Sequence, residues 1–133
     1  MAKYTEFKIW RLMYAMAAVE GWALPEPATG YPGSASFRRN NPGNLRASPL
    51  LHTTDNNFAV FLDEFTGWAA FKYDLTQKAK GNTVTGLTGE STLRDLIFKW
   101  APPSDNNDSE KYLQRVLQYS GMSEGTKLKE LLD

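Results

Sequence analysis

The stretch TEFKIWRLMYAMAAVE, residues 5–20, carries the hydrophobic pattern on which the fold depends. Ile9, Met13, Met16 and Glu20 follow one another at spacings of four, three and four residues, which places them on one stripe of an α-helix. The second half of the stretch is apolar on nearly every side, as in a helix that is buried all round. The pattern therefore predicts a buried first helix that ends in a carboxylate.

Glu20 is the first candidate for chemistry. A carboxylate that ends an apolar stripe is costly to bury unless it is paired or protonated. Burial and the negative end of the helix dipole both raise the pKa of a carboxyl group, and a neutral carboxylic acid can protonate a leaving oxygen. Gly21 is a natural helix stop. The alternative is that Glu20 lies at a frayed helix end and points to water.

The rest of the chain predicts a mainly α, α+β fold with about five helices and one small β-hairpin. Residues 21–56 hold most of the prolines and glycines, which indicates a long ordered loop region. Phe58–Leu62 is typical of a short strand that could pair with residues 44–48. Thr66 is expected to cap a helix to about Lys80, and further helices are expected over residues 91–100, 109–120 and 126–132.

Composition limits the classes of function. The 133 residues fit a single domain over residues 1–133, and 41% of them are hydrophobic, which is enough for a core. Lys plus Arg and Asp plus Glu number 15 each, so no global field attracts nucleic acid or an anionic membrane. The absence of cysteine excludes disulfides, thiol catalysis and thiolate metal sites. A single His52 argues against a Ser-His-Asp triad or a multi-histidine metal centre.

No segment contains about 18 consecutive apolar residues, so we expect no insertion into a membrane. Leu12–Val19 is apolar, but Glu20 and Gly21 follow where a signal peptide would have a small-residue cleavage site. The sequence thus predicts a protein that is made in the cytoplasm without a signal peptide. We also expect it to be a monomer.

A second candidate segment is FRRNNPGNLR, residues 37–46. Pro42 and Gly43 indicate a tight turn. Three asparagines offer amide groups that could hold a loop or a sugar N-acetyl group, and three arginines form a basic cluster. These residues are Asn40, Asn41, Asn44, Arg38, Arg39 and Arg46. The alternatives are a structural turn, a solvated basic face and contact with nucleic-acid phosphates, which the neutral net charge disfavours.

A third segment is KWAPPSDNND, residues 99–108, followed by Tyr112. Trp100 and Tyr112 could stack on a sugar or close a pocket, although a helix stop followed by an N-cap explains the segment equally well. Trp22 and Tyr31 lie in the loop after Glu20, where we expect an exposed platform for carbohydrate.

Taken in order, these segments resemble small phage and prophage proteins of the lysozyme-like superfamily, akin to lytic transglycosylases and goose-type lysozymes. The resemblance covers roughly residues 7 to 121. It rests on Glu20-Gly21, on Arg39–Arg46, on Phe58–Phe61 with Gly67 and Ala70 entering a helix, and on Trp100–Asp108 with Tyr112. It implies a lysozyme-like fold in which residues 41–61 form a small β element beside a cleft.

The same resemblance implies cleavage of the glycosidic bond between N-acetylmuramic acid and N-acetylglucosamine in peptidoglycan. Glu20 would be the general acid, and neither a metal nor an organic cofactor is implied. Tyr112 matches a tyrosine that lies near the catalytic glutamate, and Asn41 would hold substrate or orient Glu20. The further sugar contacts that we expect are Asn44, Trp22, Tyr31 and Trp100.

The second carboxylate of a hydrolase is less evident. A hydrolase normally places one opposite the acid, and Asp55, Asp63 and Glu64 lie near the predicted hairpin without diagnostic spacing. A lytic transglycosylase needs only the one glutamate, so the pattern leans towards that chemistry. The alternative function is a non-catalytic phage structural or peptidoglycan-binding module on the same fold. Because the cell wall lies outside the inner membrane, either function requires holin-type release, a virion or a secretion machine.

Overall fold

A computed structural model describes residues 7–22 and 34–132 of the chain. The fold is mainly α with one two-stranded antiparallel sheet, as predicted. The helices and strands are α1 (Lys8–Val19), α2 (Ala35–Arg38), β1 (Thr53–Asp55), β2 (Phe58–Val60), α3 (Glu64–Ala79), α4 (Leu93–Trp100) and α5 (Ser109–Ser120). Short 3-10 segments cover Pro103–Asp105 and Leu128–Leu132. Among these described residues, none of the helices is long and apolar enough to cross a bilayer.

The chain forms two compact units. One comprises Met1–Ala15 and Leu75–Asp133 and is called the helical unit; the other comprises Met16–Asp74 and is called the hairpin unit. In the described part of the helical unit, the buried apolar side chains are Ile9, Leu12, Met13, Ala15, Leu75, Ala79, Leu87, Leu93, Leu96, Ile97, Ala101, Leu113, Val116, Leu128 and Leu131. In the hairpin unit they are Met16, Ala17, Trp22, Leu45, Ala59, Phe61, Ala70 and Phe71.

Within the helical unit, α4 packs against α5. A capping box between Thr92 and Asp95 begins α4, because each side chain accepts a hydrogen bond from the other residue's backbone N–H. Gly121, with φ of +69°, ends α5 in the left-handed conformation that glycine adopts at low cost. The observed bounds of α5 agree with the predicted helix over residues 109–120.

The hairpin differs from the prediction. β2 pairs with β1 in the register Thr53↔Val60 and Asp55↔Phe58, so the expected partner strand over residues 44–48 was wrong. The two residues between the strands, Asn56 and Asn57, have φ of +50° and +68°. A two-residue turn with both φ positive matches the twist of an antiparallel pair, and asparagine adopts this conformation more readily than most residues.

Three helical segments also differ from the sequence-based expectation. Helix α2 lies inside the region interpreted as a loop, and the Ser34 hydroxyl caps it by accepting from the Phe37 backbone N–H. Helix α3 begins at Glu64 rather than at Thr66, because Asp63 Oδ1 accepts from the Thr66 backbone N–H at 2.7 Å. The last segment is 3-10 rather than α-helical.

Candidate functional site

The C-terminal end of α1 positions Glu20. The Gly21 N–H donates to the carbonyl of Ala18 at 3.1 Å, and the Trp22 N–H donates to the carbonyl of Ala17 at 2.9 Å. This pair of bonds is a Schellman motif, and it requires the positive φ of Gly21, which is +97°. Glu20 is therefore the residue at which a closed helix ends, and it does not lie at a frayed terminus.

Two segments of the hairpin unit hold Glu20. Asn44 Nδ2 donates to Glu20 Oε1 at 3.1 Å, and the Ser36 hydroxyl donates to the Glu20 main-chain carbonyl at 3.0 Å. Ser36 is buried, whereas Glu20 keeps intermediate exposure. The carboxylate is thus fixed by neighbours and still partly accessible from outside.

A second Schellman motif brings the asparagine segment into place. The Asn40 N–H donates to the carbonyl of Phe37 at 3.1 Å, and the Asn41 N–H donates to the carbonyl of Ser36 at 2.8 Å. Asn40 supplies the left-handed residue, with φ of +51°. Asparagine occupies this conformation more easily than other residues with a Cβ, so Asn40 ends α2 where a glycine is usual.

A tight turn then directs Asn44 towards Glu20. The Asn44 N–H donates to the Asn41 carbonyl at 3.0 Å across Pro42 and Gly43, which confirms the predicted turn. Asn44 itself has φ of +51°. Gly43 is needed for close approach, since a Cβ there would lie 2.8 Å from ring carbons of Phe71.

Asn41 has a structural role instead of the expected substrate contact. Its side chain is completely buried, and Nδ2 donates to the carbonyls of Leu45 and Ala59, both at 2.9 Å. Its Oδ1 accepts from the Leu45 N–H at 2.9 Å. These bonds tie the turn to β2 and use the amide, so the prediction that Asn41 holds substrate was wrong.

Trp22 also departs from its prediction. Its side chain is 2% exposed, and its ring centroid lies 5.4 Å from that of Phe37 and 5.7 Å from that of Trp68. Trp22 therefore anchors the core of the hairpin unit and does not form an exposed platform for sugar. The Tyr31 platform that was expected with it lies outside the described residues.

The first turns of α3 lie against the asparagine segment. A Cβ on Gly67 would lie 1.9 Å from the Asn40 carbonyl oxygen, so only glycine permits this approach. The Asn40 side chain also donates to the Phe61 carbonyl at 3.1 Å. Gly67 and the buried Ala70, both part of the resemblance, therefore have a packing reason to be small.

The three arginines do not form one exposed basic cluster. Arg39 is 7% exposed, and its Nε donates to Asp55 Oδ2 at 3.0 Å. Arg38 and Arg46 are exposed. The guanidinium carbons of Arg39 and Arg46 lie 4.8 Å and 4.5 Å from the centre of the Phe58 ring. Because the central cation is buried and paired, this segment is a poor surface for nucleic-acid phosphates.

Of the three carboxylates considered as partners of Glu20, Asp55 and Asp63 are already engaged in an ion pair or hydrogen bond that stabilises the fold. Asp55 is paired with Arg39. Asp63 caps α3, and hydrogen bonds from the backbone and side chain of Thr66 lower the pKa of its carboxyl group. Glu64 is exposed in the first turn of α3.

Trp100 and Tyr112 belong to the helical unit. Trp100 ends α4, and the Lys78 ammonium lies 5.3 Å from its ring centre. Tyr112 lies in α5 with intermediate exposure. The loop between the two helices is held by its own bonds, including one from Asn107 Nδ2 to the Pro102 carbonyl at 3.1 Å. The roles of Trp100 and Tyr112 in binding sugar remain predictions.

Sequence reasoning missed the contribution of Ser36, which lay in a presumed loop and carried no recognisable motif. It also grouped three asparagines that have different functions. In the part of the chain that the structure describes, no group of three or more His, Cys, Asp or Glu side chains could hold a metal ion.

Comparison with known proteins adds no relative. Neither a protein-family model, nor a curated protein, nor a solved structure matches this chain. The geometry around Glu20 is therefore the basis for the function proposed below.

Proposed function

We propose that this protein cleaves the glycan strands of bacterial peptidoglycan between N-acetylmuramic acid and N-acetylglucosamine, with Glu20 as the general acid. The observation that carries the proposal is the carboxylate of Glu20, held at the closed end of α1 by Asn44 at 3.1 Å and still partly exposed. A general acid must be both oriented and accessible to the leaving oxygen.

Asn44 is proposed to fix the direction of proton transfer. An amide N–H only donates, so Glu20 Oε1 acts as an acceptor in both protonation states. The proton is then carried by Oε2. As the bond between C1 of the muramyl sugar and the leaving oxygen breaks, that proton passes to the leaving oxygen.

We favour the lytic transglycosylase reaction over hydrolysis. After the first step the Glu20 carboxylate accepts the proton of the substrate's own 6-hydroxyl group, whose oxygen bonds to C1. The product is a 1,6-anhydro sugar, Glu20 is protonated again, and no water is consumed. This route needs one carboxylate, which agrees with the structural bonds of Asp55 and Asp63.

The test is a digest of purified peptidoglycan by the wild type, Glu20→Gln and Glu64→Gln, with products identified by mass spectrometry. We expect anhydro-muropeptides from the wild type and Glu64→Gln and none from Glu20→Gln. Circular dichroism establishes that each variant is folded. Unchanged lysis by folded Glu20→Gln would remove Glu20 from the mechanism. Reducing-end products that disappear in Glu64→Gln would instead indicate a hydrolase with Glu64 as its second carboxylate.

The second candidate is a module that binds peptidoglycan without cutting it. The structural bonds of Asp55 and Asp63 favour it as well, because among the described residues they leave Glu64 as the one of the three carboxylates without a side-chain hydrogen bond or ion pair. Sedimentation of the wild type with insoluble peptidoglycan, without release of soluble fragments, supports this function. Release of fragments that depends on Glu20 contradicts it.

A further inference from the structure

We propose that Arg46 binds a carboxylate of the muramyl unit and thereby distinguishes peptidoglycan from neutral glycans such as chitin. The inference rests on the proposed function and specifies the substrate class of the same site. The carboxylate has two possible sources: the stem peptide, or the lactyl group of an N-acetylmuramic acid that carries no stem peptide, because attachment of the peptide converts the lactyl carboxylate into an amide.

The backbone of Arg46 is anchored beside the residue that contacts Glu20. Leu45 is buried. Its N–H donates to the Asn41 side-chain oxygen, and its carbonyl accepts from the Asn41 side-chain amide. The same carbonyl also accepts from the Ala59 N–H at 2.9 Å. Asn44 and Arg46 flank Leu45, so their Cα atoms lie within about 7 Å of each other. The Arg46 side chain therefore extends from an anchored backbone position, two residues from the asparagine that contacts Glu20.

Of the two arginines at the Phe58 ring, only Arg39 is paired with a carboxylate of the described residues. The guanidinium groups of Arg39 and Arg46 both lie over this ring, and Arg39 pairs with Asp55. Arg46 forms no ion pair with a carboxylate among residues 7–22 and 34–132. Since Asp55 compensates the charge of Arg39, the positive charge of Arg46 remains available to attract an anion.

The position of Arg46 suits capture of a carboxylate. Its guanidinium carbon lies 4.5 Å from the centre of the Phe58 ring, and the residue is exposed, so its N–H donors can reach a ligand. The planar fork matches both oxygens of a carboxylate, which gives shorter and stronger hydrogen bonds than a neutral acceptor. Chitin, a polymer of N-acetylglucosamine, offers no such group.

The first experiment compares kcat and KM of wild type, Arg46→Gln, Arg46→Lys and the matched control Arg38→Gln. The substrates are soluble peptidoglycan strands with stem peptides, the same strands stripped by an amidase to leave lactyl carboxylates, and chito-oligosaccharides. For Arg46→Gln we expect KM to rise about five-fold on the anionic strand that Arg46 recognises, with kcat changed less than about two-fold. Activity on chito-oligosaccharides should stay unchanged, and Arg46→Lys should recover part of the loss.

Each pattern of results has a defined meaning. A KM effect on peptide-bearing strands alone identifies the stem peptide as the source, and an effect on stripped strands identifies the lactyl carboxylate. Equal behaviour of Arg46→Gln and Arg38→Gln on every substrate overturns the inference while the proposed function stands.

A second measurement does not depend on catalysis. Glu20→Gln and the double variant Glu20→Gln/Arg46→Gln are co-sedimented with insoluble peptidoglycan at increasing NaCl concentrations. We expect about five-fold weaker binding of the double variant at low salt and convergence at high salt, because salt screens the ion pair. Equal binding at all salt concentrations overturns the role of Arg46, even if the wild type proves not to cleave.

Discussion

At the scale of single residues, the three asparagines of the FRRNNPGNLR segment show how one side-chain type has three uses. Asn40 supplies a left-handed helix end, Asn41 satisfies buried backbone groups, and Asn44 contacts the Glu20 carboxylate. The amide can both donate and accept, and asparagine tolerates positive φ. The role of each asparagine is set by the backbone and side-chain groups that lie next to it in the folded protein.

Replacing Asn41 by alanine should lower the free energy of unfolding by about 3 kcal/mol, because the Leu45 N–H loses its buried acceptor. Urea denaturation measures this change. Asn82→Ala removes an exposed bond to Gln77 and should alter stability by less than about 0.5 kcal/mol. Reduced activity of Asn41→Ala at unchanged stability would restore its role in binding substrate.

Replacing Asn44 by glycine keeps the positive φ and removes the amide that holds Glu20. We expect kcat on peptidoglycan to fall about ten-fold with little change in KM, since the hydrogen bond orients the acid rather than binding substrate. Asn57→Gly is the matched control at another left-handed position, in the exposed hairpin turn. Equal kcat values for the two variants would show that Asn44 does not position Glu20.

At the scale of elements, the site depends on backbone segments that approach more closely than side chains allow. Gly21 permits the left-handed end of α1, Gly43 lies against the Phe71 ring, and Gly67 lies against the Asn40 carbonyl. Of these contacts, that of Gly67 is the closest, since the obstruction is backbone and cannot rotate away. The start of α3 thereby fixes the position of the loop that carries Asn44.

Gly67→Ala should destabilise the protein by about 2 kcal/mol or more and reduce activity, because α3 or the asparagine loop must move. The melting temperature and the rate of peptidoglycan release measure the two effects. At Gly125 a Cβ would meet no atom within 4 Å, so Gly125→Ala should leave both nearly unchanged. Similar behaviour of the two variants would contradict the close approach.

At the scale of the whole molecule, the net charge is zero, but oppositely charged side chains form local networks of ion pairs. In the helical unit Glu90 pairs with Lys129 at 2.7 Å and with Lys127 at 3.1 Å, and Arg94 pairs with Glu110 and Glu124. These pairs join segments that are distant in sequence. Since all of them are exposed, each contributes modestly and is weakened by salt.

Stability should fall in acid partly through Glu90. Hydrogen bonds from Lys129 and Lys127 lower the pKa of Glu90 below its usual value of 4.5. A depressed carboxyl pKa contributes stability above pH 4.5, and this contribution is lost as the pH falls through the folded-state pKa. We therefore expect the melting temperature of Glu90→Gln to fall less than that of the wild type between pH 6 and pH 3.

Asp105→Asn is the control for this measurement, because Asp105 is exposed and has no ion pair with the described residues. Its melting temperature should follow that of the wild type across the same range. If Glu90→Gln also follows the wild type, the bonds from the two lysines do not affect stability.

The sequence by itself determined the mainly α fold and the glycine at which α1 stops, whereas the hydrogen bonds that close this end are seen only in the structure. A 3.6-residue period, Gly21 and the caps of α5 act over a few residues, so the local chain specifies them. The tertiary structure alone decided that β1 is the partner of β2, that Trp22 and Asn41 are buried, and that Asn44 contacts Glu20. These features depend on which distant backbone groups approach one another, and the spacing of residues along a single chain does not record that approach.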